Sequence, residues 1–327
     1  MGQGLGISLV APATVSGYEQ GDTNAEHPPH KWMRGAVHTQ DGELVRESQR
    51  TWSAANSNAA IATDPERVTV GARATRLAGH WVYAGHWSNH FGHFLVEVLP
   101  TLWLPRPGDL QGLVAHRSFR GPHPLPHPRG SAKPADLHTW QSGLLALAGY
   151  DELPVMVVRG RPVTVERLTV PERPVVFRSR IRQEAAALWR RMAVAAGEPS
   201  APGGRIFLSR RSFNRTKAGR SSASWDRRLD EEFHLRGYQV VEPETLSVRE
   251  QVRLVSGAAV VAGSAGSALH LAAFCAPGTL VVEIGDARNP DSMQTSQSTL
   301  HQACDLRSRF VGYQDVAALS RALAATA

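Results

Sequence analysis

The chain has 327 residues, 42% of them hydrophobic, 20% charged and 7% aromatic. That apolar share is too high, and the charge too sparse, for a disordered chain. Two cysteines, Cys275 and Cys304, exclude a disulfide scaffold and form no CxxC zinc or redox pair. The formal charge is +7, and residues 205–228 account for all of it, with eight cations against Asp226 alone. A local cluster suits one compact anion, such as a diphosphate, as well as a polymer track. The neutral remainder and the lack of a reader motif stand against a nucleic-acid partner.

The first six residues carry neither a basic region nor a long apolar core, so no secretory leader is expected. The cysteine usage fits a reducing, cytoplasmic setting. Leu254–Val282 has no formal charge, but Gly257, Gly263, Gly266, Pro277 and Gly278 break it into short buried elements. No transmembrane segment is expected, and any membrane association is peripheral or through a partner.

Residues 1–66 are weakly patterned, with turn residues at 27–30 and 56–58, and predict loops and short edge strands. From Arg67 the pattern sharpens. Strands are predicted at Arg67–Val70 and at Trp81–Ala84, the second ending at Gly85. Phe91, Phe94, Leu95, Val98, Leu99 and Leu102 mark one buried face of a helix over 91–103, capped by Ser88 or Asn89 and ended by Pro105 and Pro107. A short strand follows at 112–115, then a Pro/His/Gly-rich loop at 116–134 and a helix at 139–149 with Gly149 as its C-terminal cap. Strands at 155–158 and 163–170 close a first domain, 67–172, at the break Pro171–Pro174.

Residues 173–327 alternate. Helices are predicted at 181–196, 227–236, 248–256, 267–275 and 316–325. Strands are predicted at 205–209, 238–242, 258–262 and 279–284. Alternation of this kind implies parallel βαβ units in a doubly wound sheet, an α/β fold.

Two places carry chemistry. In the second half, the apolar run 258–262 leads into Gly263-Ser264-Ala265-Gly266-Ser267 and a helix. Such a turn is either a tight connection or an anion cradle of free N–H groups, to which Ser264 and Ser267 add hydroxyls. Strand 205–209 runs into Arg210 and Arg211 at the same rim, which moves the basic cluster toward a phosphate site. Glu283, near the end of the next strand, suits the two hydroxyls of a ribose or else points out at the edge. No GxxxxGK[ST] sequence is present, which disfavours a P-loop enzyme.

In the first half, His90, His93 and Glu97 fall at i, i+3 and i+7 of one helix. They read as a metal set of a hydrolase, as an acid/base patch, or as structural groups. The HExxH spacing is absent, and no neighbouring Asp/His motif completes a metal site. Apolar surroundings on this helix are expected to raise the Glu97 pKa toward neutrality.

The Gly-His-Phe-Leu-x-Glu-x-Leu-Pro core within Asn89–Pro100 resembles the first block of the glycosyltransferase family 61 proteins, the capsular polysaccharide biosynthesis-like group. Further blocks resemble the same family in order: 206–211, Arg227-Arg228-Leu229-Asp230-Glu231, 237–241, Leu246-Ser247-Val248-Arg249-Glu250-Gln251, 263–270 and 274–284. The resemblance covers about residues 80–285. The family often has His where Ala265 stands, and Asn where Leu271 and Asp230 stand. The missing loop His removes one phosphate donor, for which His270 is the candidate substitute.

The resemblance implies a GT-B-like fold of two Rossmann-like doubly wound domains facing a cleft; separately, the high Arg and Ala content suggests a bacterial coding bias. It implies an inverting, metal-independent transferase with no cofactor. The sugar would pass from a UDP- or GDP-linked nucleotide-sugar donor to a hydroxyl of a glycan, a lipid-linked glycan or a small-molecule acceptor. The donor would lie on Arg210, Arg211, Arg215, Lys217, Gly263, Ser264, Gly266, Ser267, His270 and Glu283. Asn89 and His90 would line the acceptor side. His93 or Glu97 would be the base, and Arg210 would stabilise the leaving group. The rival functions are a catalytically inactive relative that binds a glycan or partner, and a metal-dependent hydrolase using His90, His93 and Glu97.

Overall fold

The computed structural model describes residues 4–21, 32–50, 61–62, 74–117, 133–134, 137–216 and 220–324. The strand expected at Arg67–Val70, the turns at 27–30 and 56–58, most of the loop at 116–134 and Lys217 lie outside them. The chain divides into two compact units, one up to Arg180 and one from Ile181 onward.

In the first unit the N-terminal stretch supplies β1 (Ile7–Val10), β2 (Ala13–Val15), β3 (Val37–His38) and β4 (Leu44–Val45). After them come β5 (Thr75–Trp87), β6 (Leu110–Arg117), β7 (Lys133–Pro134), β8 (Val155–Val158) and β9 (Val163–Pro171). These form a nine-stranded sheet ordered β7-β8-β6-β5-β9-β2-β3-β4, with β1 also on β9. The four central strands are parallel and the outer ones antiparallel. The first unit is therefore a mixed sheet, which corrects the expectation of a doubly wound parallel sheet here. Parallel pairing needs a crossover of a dozen residues or more, and the turn between β3 and β4 has no room for one.

β5 is much longer than its apolar centre suggests. Gly85 does not end it: Gly79 and Gly85 take φ of +78° and +74° inside the strand. The register against β6 shifts after His80 and between Tyr83 and His86, so the glycines absorb irregularities that a side chain would not.

The sheet is also tightly coiled. β8 and β9 stand at opposite ends of the parallel centre, yet only residues 159–162 join them. That link reaches at most about 18 Å. In a flat sheet the ends lie three strand spacings, about 14 Å, apart sideways and about 36 Å apart along the strands. Only a coil brings them together. The His116 Nε2–H bond to the Ser16 carbonyl, 2.9 Å, ties the end of β6 to the end of β2. Inside the coil pack Val15, Val37, Trp81, Tyr83, Val114, Val158, Val163 and Leu168.

The helix expected at 91–103 is present as three unlike turns, together α1: Phe91–His93 is α-helical, Phe94–Val98 π-helical and Leu99–Leu102 3-10. The Leu99 N–H reaches back five residues to the Phe94 carbonyl, and Pro100 has no N–H with which to continue an α ladder. The cap is His90, not Ser88 or Asn89; its Nδ1 accepts the His93 N–H at 3.4 Å. α2 (Thr139–Leu147) ends as expected, with Gly149 at φ +84°.

The second unit contains α3 (Gln183–Ala196), β10 (Arg205–Leu208), α4 (Arg211–Thr216), α5 (Ala223–Leu235), β11 (Gln239–Val241) and α6 (Val248–Ser256). β12 (Val260–Ser264), a 3-10 helix at Ser267–Phe274, β13 (Leu280–Ile284), α7 (Thr295–Ala303), β14 (Arg307–Val311) and α8 (Val316–Ala324) follow. The sheet is parallel throughout, ordered β11-β10-β12-β13-β14. α5 and α8 cover one face, where Phe207, Val282 and Ile284 meet Trp225, Leu229, Phe233, Leu319 and Leu323. α3, α6, α7 and the 267–274 helix pack together over the other. In this order the chain reverses direction across the sheet between β10 and β12, and open α/β sheets bind ligands at the carboxyl ends of such a pair.

Candidate active site

The carboxyl ends of β10 and β12 carry Arg210 and Gly266. Arg210 is 6% exposed, and its Nη1 donates to the Ala265 carbonyl at 3.2 Å. Its guanidinium also lies over the Phe213 ring, 4.8 Å from the centroid. Burial, and then the charge of Arg220, pull its pKa down to about 10, against Asp286. Gly266 takes φ +137°. A Cβ there would overlap Arg210 Nη1 and stand 2.8 Å from Arg220 Nη1. The bare glycine thus lets two guanidiniums close over the turn. The loop after β13 brings Asp286, which is 2% exposed. Asp286 Oδ1 accepts the N–H groups of Arg288 and Asn289, each at 3.0 Å, and Oδ2 meets Arg288 Nη2 at 3.3 Å. The Ala287 N–H donates to the Arg220 carbonyl at 2.9 Å, which fixes this loop beside Arg220. Three arginines, 210, 220 and 288, thus gather near one carboxylate at the rim of the parallel sheet.

The other residues expected here are scattered. Gly263 and the buried Ser264 end β12, and Ser267 opens the 3-10 helix. Arg211 is exposed and turns to Asp230, 4.0 Å away. Arg215 falls in α4. His270 is buried, and its Nδ1–H donates to Gln297 Oε1 at 2.8 Å. Gln297 Nε2 donates in turn to His301 Nε2 at 2.8 Å and to the Leu269 carbonyl at 3.2 Å, so His270 is tied to the packing of α7.

Glu283 is 1% exposed, with Oε1 accepting the Gln294 N–H at 3.3 Å and Oε2 unpartnered. Its carboxyl is enclosed where α7 begins. Burial pushes its pKa from about 4.5 up to about 7, with Asp286 adding to the rise and the Gln294 N–H opposing it. The unfolded chain therefore ionises first, and stability falls as pH rises from about 4.5 through 7. Glu283→Gln stays neutral throughout. Urea melts should show the variant gaining on the wild type by about 3 kcal/mol between pH 4.5 and pH 8. Parallel pH profiles for the two proteins would contradict the enclosure.

In the first unit, His93, Glu97, Arg50 and Arg173 meet at the carboxyl ends of β5 and β9. His93 Nδ1 hydrogen-bonds Glu97 Oε1 across one turn, and Arg50 Nη2 stands 2.6 Å from Glu97 Oε2. Arg173 Nη2 donates to the Glu97 carbonyl at 3.1 Å. Glu97 is 4% exposed. Burial alone raises its pKa, but the Arg50 charge and the His93 hydrogen bond overcome it and hold the carboxyl at about 2. This corrects the expectation of a near-neutral Glu97: the helix surroundings are apolar, but the Arg50 guanidinium and a His93 hydrogen bond reach the carboxylate. A carboxylate so firmly ionised is a poor proton acceptor and a good anchor.

His93 is partly exposed and packs against the His90 and Phe177 rings, each 4.9 Å away. His90 is exposed and serves as the helix cap, after the half-buried Asn89. Among the described residues no three His, Cys, Asp or Glu side chains are placed to hold a metal ion. The His90/His93/Glu97 set is engaged otherwise.

The Glycosyltransferase 61 family model matches residues 91–282, more than half of the chain. The chain belongs to glycosyltransferase family 61. Comparison with the curated proteins gives no match. Membership makes this family 61 chain a glycosyltransferase, acting on a donor and an acceptor. Its match spans His93, Glu97, Arg173, Arg210, Arg220 and Gly266, while Arg50, Asp286 and Arg288 lie outside it. No helix among the transferase's described residues is long and apolar enough to cross a membrane.

Sequence reasoning missed four of these groups. Asp286 and Arg288 were within reach, because they follow β13 at the rim that already held Arg210. Arg50 had no signal in its weakly patterned stretch, and Arg173 sits in a segment read only as a break between two prolines.

Proposed function

We propose that the second unit of this transferase grips the diphosphate of a nucleotide-sugar donor, and that the first unit supplies the base for the acceptor hydroxyl. The reading is of a GT-B-type, inverting and metal-independent enzyme. One observation carries it: Arg210 and Arg220 converge over Gly266 at the point where the parallel sheet changes direction. Planar guanidiniums bind phosphate oxygens in pairs, and fixed positive charge favours the charge that grows on a leaving diphosphate. That is the stabilisation a metal supplies in other transferases.

In the reaction, His93 donates Nδ1–H to Glu97, so the neutral ring carries its lone pair on Nε2. Nε2 takes the acceptor's hydroxyl proton as the oxygen attacks the anomeric carbon. The bond from that carbon to the diphosphate oxygen breaks, and its electrons leave with the nucleoside diphosphate, under the arginines. One displacement inverts the anomeric carbon. Glu97 stabilises the imidazolium that forms. General-base assistance of this kind contributes roughly 10²–10⁴-fold.

The test is calorimetric titration with UDP, GDP, their sugar conjugates and inorganic pyrophosphate. At least one nucleoside diphosphate should bind, and Gly266→Ala should weaken it at least tenfold, because the added methyl displaces Arg210. No binding of any probe, or unchanged affinity in Gly266→Ala, overturns the reading.

A further inference from the structure

We propose that Arg50 is a positioning residue that acts on His93 through Glu97. The inference rests on the assignment of His93 as the base.

The Glu97 carboxylate bridges two partners. One oxygen meets His93 Nδ1, and the other stands 2.6 Å from Arg50 Nη2. Both side chains of the ion pair are nearly enclosed, with 11% exposure for Arg50 and 4% for Glu97. The backbone is held as well, through the Arg173 bond to the Glu97 carbonyl, inside a π-helical turn. Side chain and main chain of Glu97 are thus pinned from different parts of the chain.

A buried carboxylate without its cation is costly. It takes up a proton or turns toward water. Either change weakens or displaces the charged acceptor for His93 Nδ1–H, and the imidazole then exchanges tautomers or rotates. The lone pair on Nε2 is lost from the place where the acceptor hydroxyl arrives. Arg50 touches neither substrate nor reacting atoms in this scheme. Its effect on His93 passes through the carboxylate. It comes from 47 residues earlier in the chain and lies outside the family match, so this transferase draws on its N-terminal stretch to orient its base.

Among the described residues, Arg50, Arg173, His90 and the Phe177 ring face His93 and Glu97, and the Arg178 guanidinium lies over that ring. Arg50 is the cation that reaches the carboxylate oxygens, which singles it out for the test.

The experiment compares Arg50→Gln, Arg50→Lys, Glu97→Gln and the double Gln variant. Turnover is followed as nucleoside diphosphate release from the nucleotide sugar selected by titration. Arg50→Gln should lower kcat about 10- to 100-fold with the donor KM unchanged, and Arg50→Lys should recover most of the loss. In the Glu97→Gln background, Arg50→Gln should cost nothing more. Nitrogen-15 spectra of the His93 ring at alkaline pH give a readout free of substrate: the Nδ1–H tautomer in the wild type, a mixture in Arg50→Gln. Equal losses in both backgrounds, a risen donor KM with kcat intact, or an unchanged His93 spectrum overturn the proposal. His93→Ala, run in parallel, separates the failures. Full turnover there removes the base assignment itself. Loss there, with Arg50→Gln at the wild-type rate, removes only the role of Arg50.

Discussion

Arg210→Ala is expected to lower transfer by roughly 10²–10³-fold, the cost of removing one donor aimed at developing charge. The side chain is nearly buried at the end of β10, bonded to the Ala265 carbonyl and seated on Phe213. Those contacts hold its fork in one place before any ligand arrives, so little ordering remains to be done on binding. Arg220 cannot replace it, because its own position depends on the loop that Asp286 folds. Arg210→Lys should recover only part of the activity, since an ammonium keeps the charge and loses the planar pair of donors. Initial rates at saturating acceptor, with circular dichroism to check the fold, decide the matter. A folded Arg210→Ala protein at the wild-type rate would exclude any role for this residue in leaving-group stabilisation.

His93→Ala carries the other large effect, a loss of about 10²–10⁴-fold in kcat with donor affinity preserved. The reason is a division of labour within the cluster. Glu97 is held ionised at about 2 by Arg50 and His93 and does not take up a proton near neutrality. In the proposed mechanism the imidazole Nε2 accepts the proton, and Glu97 holds the ring through Nδ1. Glu97→Gln should therefore do less harm than His93→Ala, because the amide oxygen still accepts the Nδ1–H. The reverse ranking would make Glu97 the base.

The sequence carried the second unit well. Alternating apolar runs and amphipathic stretches marked β10, β12, β13 and α6, and Ser247 with Glu250 closes α6 at the boundary where the pattern starts. α7 and β14 escaped notice because they show little apolar pattern: α7 buries Ser296, Gln297 and His301 beside Leu300, and β14 opens with exposed Arg307 and Ser308 at the sheet edge. The π-helical turn was hidden because a 3.6-residue period describes the apolar face of α1 equally well. In the site, Arg210 and Gly266 were legible from their place after strands. The direction of Glu283 was not, since β13 is covered on both faces and shows no alternation between apolar and polar positions. Arg211 was paired with Arg210 by adjacency alone, whereas its place at the start of α4 turns it to Asp230.

The coil of the first unit constrains how this protein changes over generations. Surface connections ordinarily tolerate added residues at small entropic cost. The link at 159–162 is different, because it joins β8 and β9, which stand at opposite ends of the parallel centre. Four residues already have to bridge the two ends, so lost length cannot span the gap. Deletions should be purged at this connection for reasons of span, while substitutions at the exposed Arg161 pass.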